Sequence, residues 1–441
     1  MLWNPEAETM ERGHLRDVQS VRLREKVAYV AERVPFYRER FAAHGVAPQD
    51  VRSVDDLSHL PFTTKSDLRD NYPFGLFAVP QSAISRIHAS SGTKGKLTVV
   101  GYTRHDLGVW AEVCARALAL GGGQPGDVVH NAYGYGLFTG GLGMHDGGEL
   151  MGATVVPMSG GNTARQVMLL KDFGAKVLCC TPSYALTIAD EIERQGIDVA
   201  ALPLAYAILG AEPWTDEMRR EIEQRLAIKA VDIYGLSEII GPGVACECVE
   251  AQHGLHIAED HFLPEIINPE TGEILPLGEQ GELVLTSLTK EANPLIRYRT
   301  GDITALIPEP CPCGRTSMRM ARLRGRQDDM LIVRGVNVYP SEVEAVLLGM
   351  GGIAPFYQIV LDREGPLDTM EVVAEVTPSF HGIAGWSLDA DHPAVRELRG
   401  RLTDDLKSRL GLTCRVTLVE PGAMERIEVG KAVRVVDRRT R

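Results

Sequence analysis

Between residues 10 and 44 the apolar positions recur at helical steps: Leu15 and Val18, then Leu23, Val27, Val30 and Val34, with Pro35 ending the pattern. Spacing of three and four puts one apolar stripe on a helix that packs against the body of the chain. Further on, short β-branched runs at 176–180 and 205–209 alternate with helical stretches at 184–195 and 216–226. That alternation predicts an α/β architecture with largely parallel strands. From residue 281 the pattern changes to strands and turns, with a strand at 282–287 and a proline- and glycine-rich turn at 308–315. A new unit starts after residues 326–329. It holds a strand at 330–333 and a helix from Glu342, introduced by Ser341 with Glu344 three residues on as a capping box. A strand at 370–376, a helix at 395–410 and a strand at 415–419 complete it. The expected fold is therefore a large N-terminal α/β domain with mixed sheets and helices over 1–327 and a small C-terminal α+β domain over 328–441, divided at Asp328.

A chain of 441 residues exceeds the size at which one core keeps growing, which agrees with two domains. The formal charge of −13, from 46 basic and 59 acidic residues, leaves no basic face for nucleic acid. Anionic ligands must instead be held by local donors. The N-terminal Met1-Leu-Trp-Asn-Pro-Glu-Ala-Glu is acidic, and no later run approaches the ~20 apolar residues that span a bilayer. The expectation is a cytoplasmic protein without membrane contact. Eight cysteines are too few for a disulfide scaffold. Cys114, Cys179, Cys180 and Cys414 lie in apolar runs and read as small core residues, whereas Cys246, Cys248, Cys311 and Cys313 form two C-x-C pairs.

Ser90-Ser-Gly-Thr-Lys-Gly-Lys96 lies between strand-like segments at 84–88 and 97–101. A Walker loop would need different spacing and a following helix. Gly92 and Gly95 let the backbone approach an anion, and Ser90, Ser91, Thr93, Lys94 and Lys96 supply donors. From these residues alone, a phosphate cradle and a solvated hairpin turn are equally good readings.

Five ordered segments decide between them: Ser90–Lys96, Tyr234-Gly-Leu-Ser-Glu238, Tyr298-Arg-Thr-Gly-Asp302, Gly325-Arg-Gln-Asp-Asp329 and Gly430-Lys431. Together they resemble the adenylate-forming ligases, and the chain is most similar to the phenylacetate-CoA ligase family within that group. The likeness runs nearly end to end and includes Trp3-Asn-Pro-Glu-Ala-Glu-Thr9, Val34-Pro-Phe-Tyr37, Asn131-Ala-Tyr-Gly-Tyr-Gly-Leu-Phe-Thr-Gly-Gly141, Leu255-His-Ile-Ala-Glu-Asp260 and Gly430-Lys-Ala-Val-Arg-Val435. Lys94 and Leu97 depart from the threonine and proline usual in the family's loop.

The resemblance implies an ATP-dependent aryl-acid:coenzyme A ligase that forms an acyl-adenylate, releases pyrophosphate and passes the acyl group to coenzyme A. It implies a catalytic Lys431 that stabilises charge at the α-phosphate, and Glu238 as a Mg²⁺ ligand. Ser90, Ser91, Gly92, Thr93, Gly95 and Lys96 would hold phosphates. Gly210, Ala211, Glu212, Asp232, Tyr234, Gly235 and Ser237 would line the nucleotide site, Asp302 would accept from the ribose hydroxyls, and Arg326 would contact ribose or phosphate. Tyr133, Tyr135, Phe138 and Pro242 are the implied walls of the aryl pocket. Asp328 is the implied hinge, and a homodimer is the implied assembly.

Cys246, Cys248, His253, His256, His261, Cys311 and Cys313 gather soft and borderline ligands in two clusters. Four such ligands suit tetrahedral zinc, and reduced cysteines in a turn-rich region are the alternative. The family's pattern selects Cys248, His256, Cys311 and Cys313, with Cys246 and His253 as spares. Two other functions fit a chain of this kind: an adenylating enzyme acting on a deazaflavin cofactor or a carrier protein, and a non-catalytic nucleotide sensor. Lys431 and Glu238 oppose the sensor, which needs neither.

Overall fold

A computed structural model of the chain describes residues 1–90, 97–326, 330–334, 336–364, 367–384, 388, 392–426 and 432–439. The apolar stripe at the N-terminus forms helix Arg12–Arg33, with Leu15, Leu23, Val27 and Val30 buried. Pro35 ends that helix and opens the next, Pro35–Ala43, because a proline's missing N–H costs nothing at a first helical position.

The centre of the large domain is a nine-stranded sheet. In spatial order its strands are Leu306–Ile307, Arg319–Met320, Leu255–Ile257, Gly241–Glu247, Lys229–Leu236, Tyr206–Gly210, Val177–Cys180, Val128–Asn131 and Thr154–Val156. The last five run parallel, as the alternating pattern predicts, and the first four add antiparallel pairing. Val177–Cys180 is buried on both faces, the mark of a parallel strand covered by helices. Cys114, Cys179, Cys180 and Cys414 are all buried and free, as expected of core residues.

Helix Arg104–Leu120 packs so closely on helix Gly140–Met151 that a Cβ on Gly143 would lie 2.5 Å from Trp110 Nε1. Glycine is the residue that permits this approach. A second, antiparallel sheet orders Phe262–Ile267, Gly281–Ser287, Tyr298–Thr304 and Gly325–Arg326. Arg297 anchors its third strand: the guanidinium pairs with both oxygens of Glu265 at 2.9 and 3.0 Å and donates to the carbonyls of Ser58 and Leu60.

The small domain is built on strands Arg415–Val419, Leu367–Val376, Ile353–Glu364 and Val435–Asp437, with helices Pro340–Gly349 and Pro393–Leu410. Its core is separate, apart from Ala354 and Phe356, which join the cluster around helix Pro182–Arg194 of the large domain. The expected capping box at Ser341 is not formed. Pro340 moves the helix start upstream, Tyr339 N donates to Glu342, and Ser341 Oγ donates to the Arg324 carbonyl. Glu344 is thereby free for a contact outside its own helix. No helix among the described residues is long and apolar enough to cross a membrane.

Candidate active site

Three of the five motif segments meet where the central sheet faces the antiparallel one. Tyr234, near the end of strand Lys229–Leu236, donates its hydroxyl to Asp302 Oδ2 at 2.6 Å. Asp302 is buried in strand Tyr298–Thr304 and stands opposite Arg326 in the register of the next strand. A carboxylate fixed in this way keeps one oxygen directed. Tyr234→Phe is expected to raise KM for ATP roughly tenfold, the scale of one lost hydrogen bond to a charged group, with a smaller effect on kcat. Steady-state kinetics at varied ATP checks this, and an unchanged KM would separate Asp302 from the nucleotide.

Glycine is required at two motif positions by backbone proximity. A Cβ on Gly210 would lie 2.2 Å from the Ile233 carbonyl, and one on Gly235 would lie 1.9 Å from that of Gly241. Ala211, next along, takes a left-handed φ of 72°. Glu212 follows, with one oxygen accepting from Ser183 N at 2.7 Å and the other from Ala432 N at 3.0 Å. Ala432 directly follows Lys431 in the chain. Lys431 itself lies outside the described residues, as do Asp328 and Ser91, Gly92, Thr93, Gly95 and Lys96 of the phosphate loop. The strands on either side are described: Arg86–Ser90 pairs antiparallel with Thr98–Tyr102, with Ser90 opposite Thr98.

Glu238 is largely buried, and its carboxylate has no hydrogen-bond or ion-pair partner among the described residues. Behind it, Lys290 Nζ donates to the Glu238 carbonyl at 3.4 Å and sits 4.8 Å from the centre of the Tyr102 ring. Burial pulls the Lys290 ammonium down to about 8, against the opposing charges of Asp106 and Glu238. Asp232 points into a different setting. Its carboxylate lies 3.6 Å from Arg322 Nε, its N–H donates to Glu247, and burial with the neighbouring Glu247 charge pushes it up to about 7.

The segment Asn131–Gly141 is tied to the strand Arg86–Ser90 and to the segment Tyr234–Glu238. Thr139 and Ser237 share a hydroxyl bond at 3.1 Å, and the Leu137 carbonyl accepts from Ala89 N at 3.1 Å and lies 3.1 Å from His88 Nδ1. Asn131 Nδ2 donates to Tyr135 Oη and to the Gly141 carbonyl, closing the loop. Pro242 stands opposite Gly235 in the strand register. Phe138 is partly exposed, whereas Tyr133 is buried with its hydroxyl on the Ile208 carbonyl. His88, Thr139 and Lys290 carry no local sequence signal because their contacts with Leu137, Ser237 and Glu238 lie 49 to 98 positions along the chain, whereas the partners of Asn131 are only 4 and 10 positions away. Asn131, which opens the Asn-Ala-Tyr-Gly-Tyr-Gly run, carried the one local signal.

Away from this cleft, the four sequence-selected metal ligands come together, with ligand atoms of Cys248, His256, Cys311 and Cys313 all within 4.8 Å of one another. Cys248 and Cys311 Sγ are 3.6 Å apart, and Cys313 Sγ is 3.3 Å from His256 Nε2. Tetrahedral zinc with thiolates at about 2.3 Å has S···S edges of about 3.8 Å, so these separations fit zinc and are far too long for a disulfide. His256 Nδ1 lies 3.0 Å from Ser317 Oγ, which orients the ring. Of the spare candidates, Cys246 Sγ faces the Ala117 and Glu247 carbonyls, and His253 is exposed and outside the four-residue cluster. His261, in the wider cluster, contacts Thr289 and Asp260.

Comparison with known proteins places this geometry. The AMP-binding enzyme model matches residues 90–289, and the AMP-binding enzyme C-terminal domain model matches 335–439. A phenylacetate-coenzyme A ligase of Thermus thermophilus is 56% identical over 445 residues, covering 100% of both chains. One from Escherichia coli is 50% identical over 433 residues, covering 98% of this chain and 97% of that one.

The chain belongs to the phenylacetate-coenzyme A ligase family. It is an adenylate-forming acid–thiol ligase with the large AMP-binding domain and small C-terminal domain of that group. Crystal structures of 2-hydroxyisobutyryl-CoA ligase, at 29–30% identity and covering 99% of this chain and 92% of their own, add the domain arrangement. The TM-score is 0.92 to that enzyme in the postadenylation state with 2-HIB-AMP, and 0.73 to it in the thioesterification state with 2-HIB-AMP and CoA. The small domain of this chain thus sits as in the postadenylation arrangement.

Proposed function

We propose that this ligase converts phenylacetate, ATP and coenzyme A to phenylacetyl-coenzyme A, AMP and pyrophosphate. The observation that carries the reading is the convergence of Tyr234, Asp302 and the Arg326 strand beside an aryl-lined loop. The acid's carboxylate oxygen attacks the α-phosphorus, the bond to pyrophosphate breaks, and a mixed anhydride forms. The coenzyme A sulfur then attacks its carbonyl carbon, and AMP leaves. A free carboxylate resists such attack because its leaving group is poor, and AMP supplies a good one.

In this reading Lys431 reaches the α-phosphate from the small domain and offsets the charge that builds there. Asp302, oriented by Tyr234, accepts from the ribose hydroxyls, while Gly210, Ala211, Gly235 and Ser237 line the nucleotide. Ser90–Lys96 cradles phosphates. Glu238, a buried carboxylate without a partner among the described residues, has the chemistry to hold Mg²⁺, which neutralises phosphate charge. Tyr135, Phe138 and Pro242 wall the aryl ring, with Tyr133 behind them.

The division at Asp328, with the small domain swinging about it between half-reactions, belongs to the same proposal, as do a homodimer and a cytoplasmic setting. So does a structural zinc held by Cys248, His256, Cys311 and Cys313. All four positions there are filled by protein, so it would brace loops and take no part in the reaction. A panel of aryl and alkyl acids assayed for thioester product tests the substrate. Phenylacetate is expected to have the highest kcat/KM, and a benzoate or an aliphatic acid ahead by tenfold would reassign the pocket.

A further inference from the structure

Two carboxylates join the domains, and they do so reciprocally. Glu212, on the loop between strand Tyr206–Gly210 and helix Asp216–Leu226 of the large domain, reaches Ala432 N of the small domain at 3.0 Å. Its other oxygen accepts from Ser183 N, an otherwise unpaired donor in the first turn of helix Pro182–Arg194. Glu344, on helix Pro340–Gly349 of the small domain, reaches the opposite way. One oxygen accepts at 3.2 Å from Thr215 N, the N-cap residue of helix Asp216–Leu226, and the other accepts at 3.0 Å from the Tyr357 hydroxyl. Arg434 completes the set: it donates to Ser183 Oγ at 3.3 Å, lies 3.9 Å from Glu344 Oε2 and covers the Tyr357 ring at 4.4 Å.

Each carboxylate therefore holds a backbone amide of the other domain, and both act on the short loop from Glu212 to Thr215. Amide donors do not rotate away as side chains do, so the two bonds are satisfied together in one relative placement of the domains. Another cross-domain ion pair, Arg426 with Asp190, is a quarter to a third exposed and contributes less. The geometry points to Glu212 and Glu344 as a clasp that holds this arrangement of the domains, the one shared with the postadenylation ligase and distinct from the thioesterification one, making both positioning residues for adenylate formation alone. This rests on the reading that Lys431 serves adenylate formation.

The test measures the two half-reactions separately. Glu344→Ala is expected to slow phenylacetyl-adenylate formation roughly 10- to 100-fold by depopulating the competent arrangement. Thioester formation from supplied phenylacetyl-adenylate and coenzyme A stays within about twofold of wild type, because the second arrangement does not use the clasp. Glu344→Gln keeps an acceptor for Thr215 N and turns its amide to the Tyr357 hydroxyl, so it restores most of the adenylation rate. Equal slowing of both halves, or an unchanged first half, overturns the clasp. Energy transfer between fluorophores on the two domains reads the arrangement without catalysis: Glu344→Ala shifts it away from the wild-type value and Lys431→Ala does not. A Lys431→Ala enzyme that still forms adenylate would sink the parent reading while this shift still tests the clasp, and an unshifted Glu344→Ala would sink the clasp alone.

Discussion

Lys431→Ala is expected to slow acyl-adenylate formation by roughly 10²–10³, the scale of losing one preorganised charge at the reacting centre. Thioester formation from supplied adenylate should persist, and so should ATP binding, on the proposal that Tyr234 and Asp302, whose hydrogen bond is untouched, hold the nucleotide. Ala432, the residue after Lys431 in the chain, donates its N–H to Glu212 on the loop that follows strand Tyr206–Gly210. Rapid-quench measurement of pyrophosphate and acyl-AMP in one turnover gives the rate directly. An adenylation rate within threefold of wild type would remove Lys431 from the chemistry and leave the α-phosphate charge to other donors.

The second large effect concerns the Cys248, His256, Cys311, Cys313 cluster. Cys311→Ala with Cys313→Ala removes two of four ligands, and bound zinc is expected to fall from one per chain to near none. Stability should fall with it, by about 5 °C or more in Tm, because a structural zinc's binding energy is folding energy. The turn that carries Cys311 and Cys313 is tied to the N-terminus, where Arg315 Nε pairs with Glu8 and Nη2 donates to the Met1 carbonyl. Loosening the turn therefore releases the start of the chain as well. Metal analysis and calorimetry on protein purified without chelator check this. Less than a tenth of an equivalent of zinc in the wild type would leave four reduced cysteine and histidine side chains packed in a turn.

Much of this was readable because the informative residues are constrained where they stand. Gly210 and Gly235 are glycine because another backbone occupies the place of a Cβ, and such positions recur in a family as fixed letters. The alternation of strands and helices in 176–226 carried the parallel half of the central sheet, since buried parallel strands must be continuous apolar runs. The choice of Cys248 over Cys246 was legible only through the family's pattern. In the structure Cys246, opposite His256 on its strand, turns its sulfur to the Ala117 carbonyl.

Where local reading failed, a distant partner had claimed the residue. Ser341 with Glu344 has the spacing of a capping box, yet Pro340 sets the helix start and Glu344 binds the amide of Thr215, 129 positions away. Thr139 and His88, which tie the segment Asn131–Gly141 to Ser237 and to strand Arg86–Ser90, have no spacing signal at all.

The central claim is that this chain activates an aryl acid as its adenylate before coenzyme A takes part. The most direct measurement is pyrophosphate release with phenylacetate, ATP and Mg²⁺ in the absence of coenzyme A, with mass spectrometry of the enzyme-bound product. The account predicts a burst of about one pyrophosphate per active site, phenylacetyl-AMP retained on the protein, and sustained turnover to AMP and phenylacetyl-coenzyme A once coenzyme A is added. No burst and no acyl-AMP, or ADP as the nucleotide product, would contradict it.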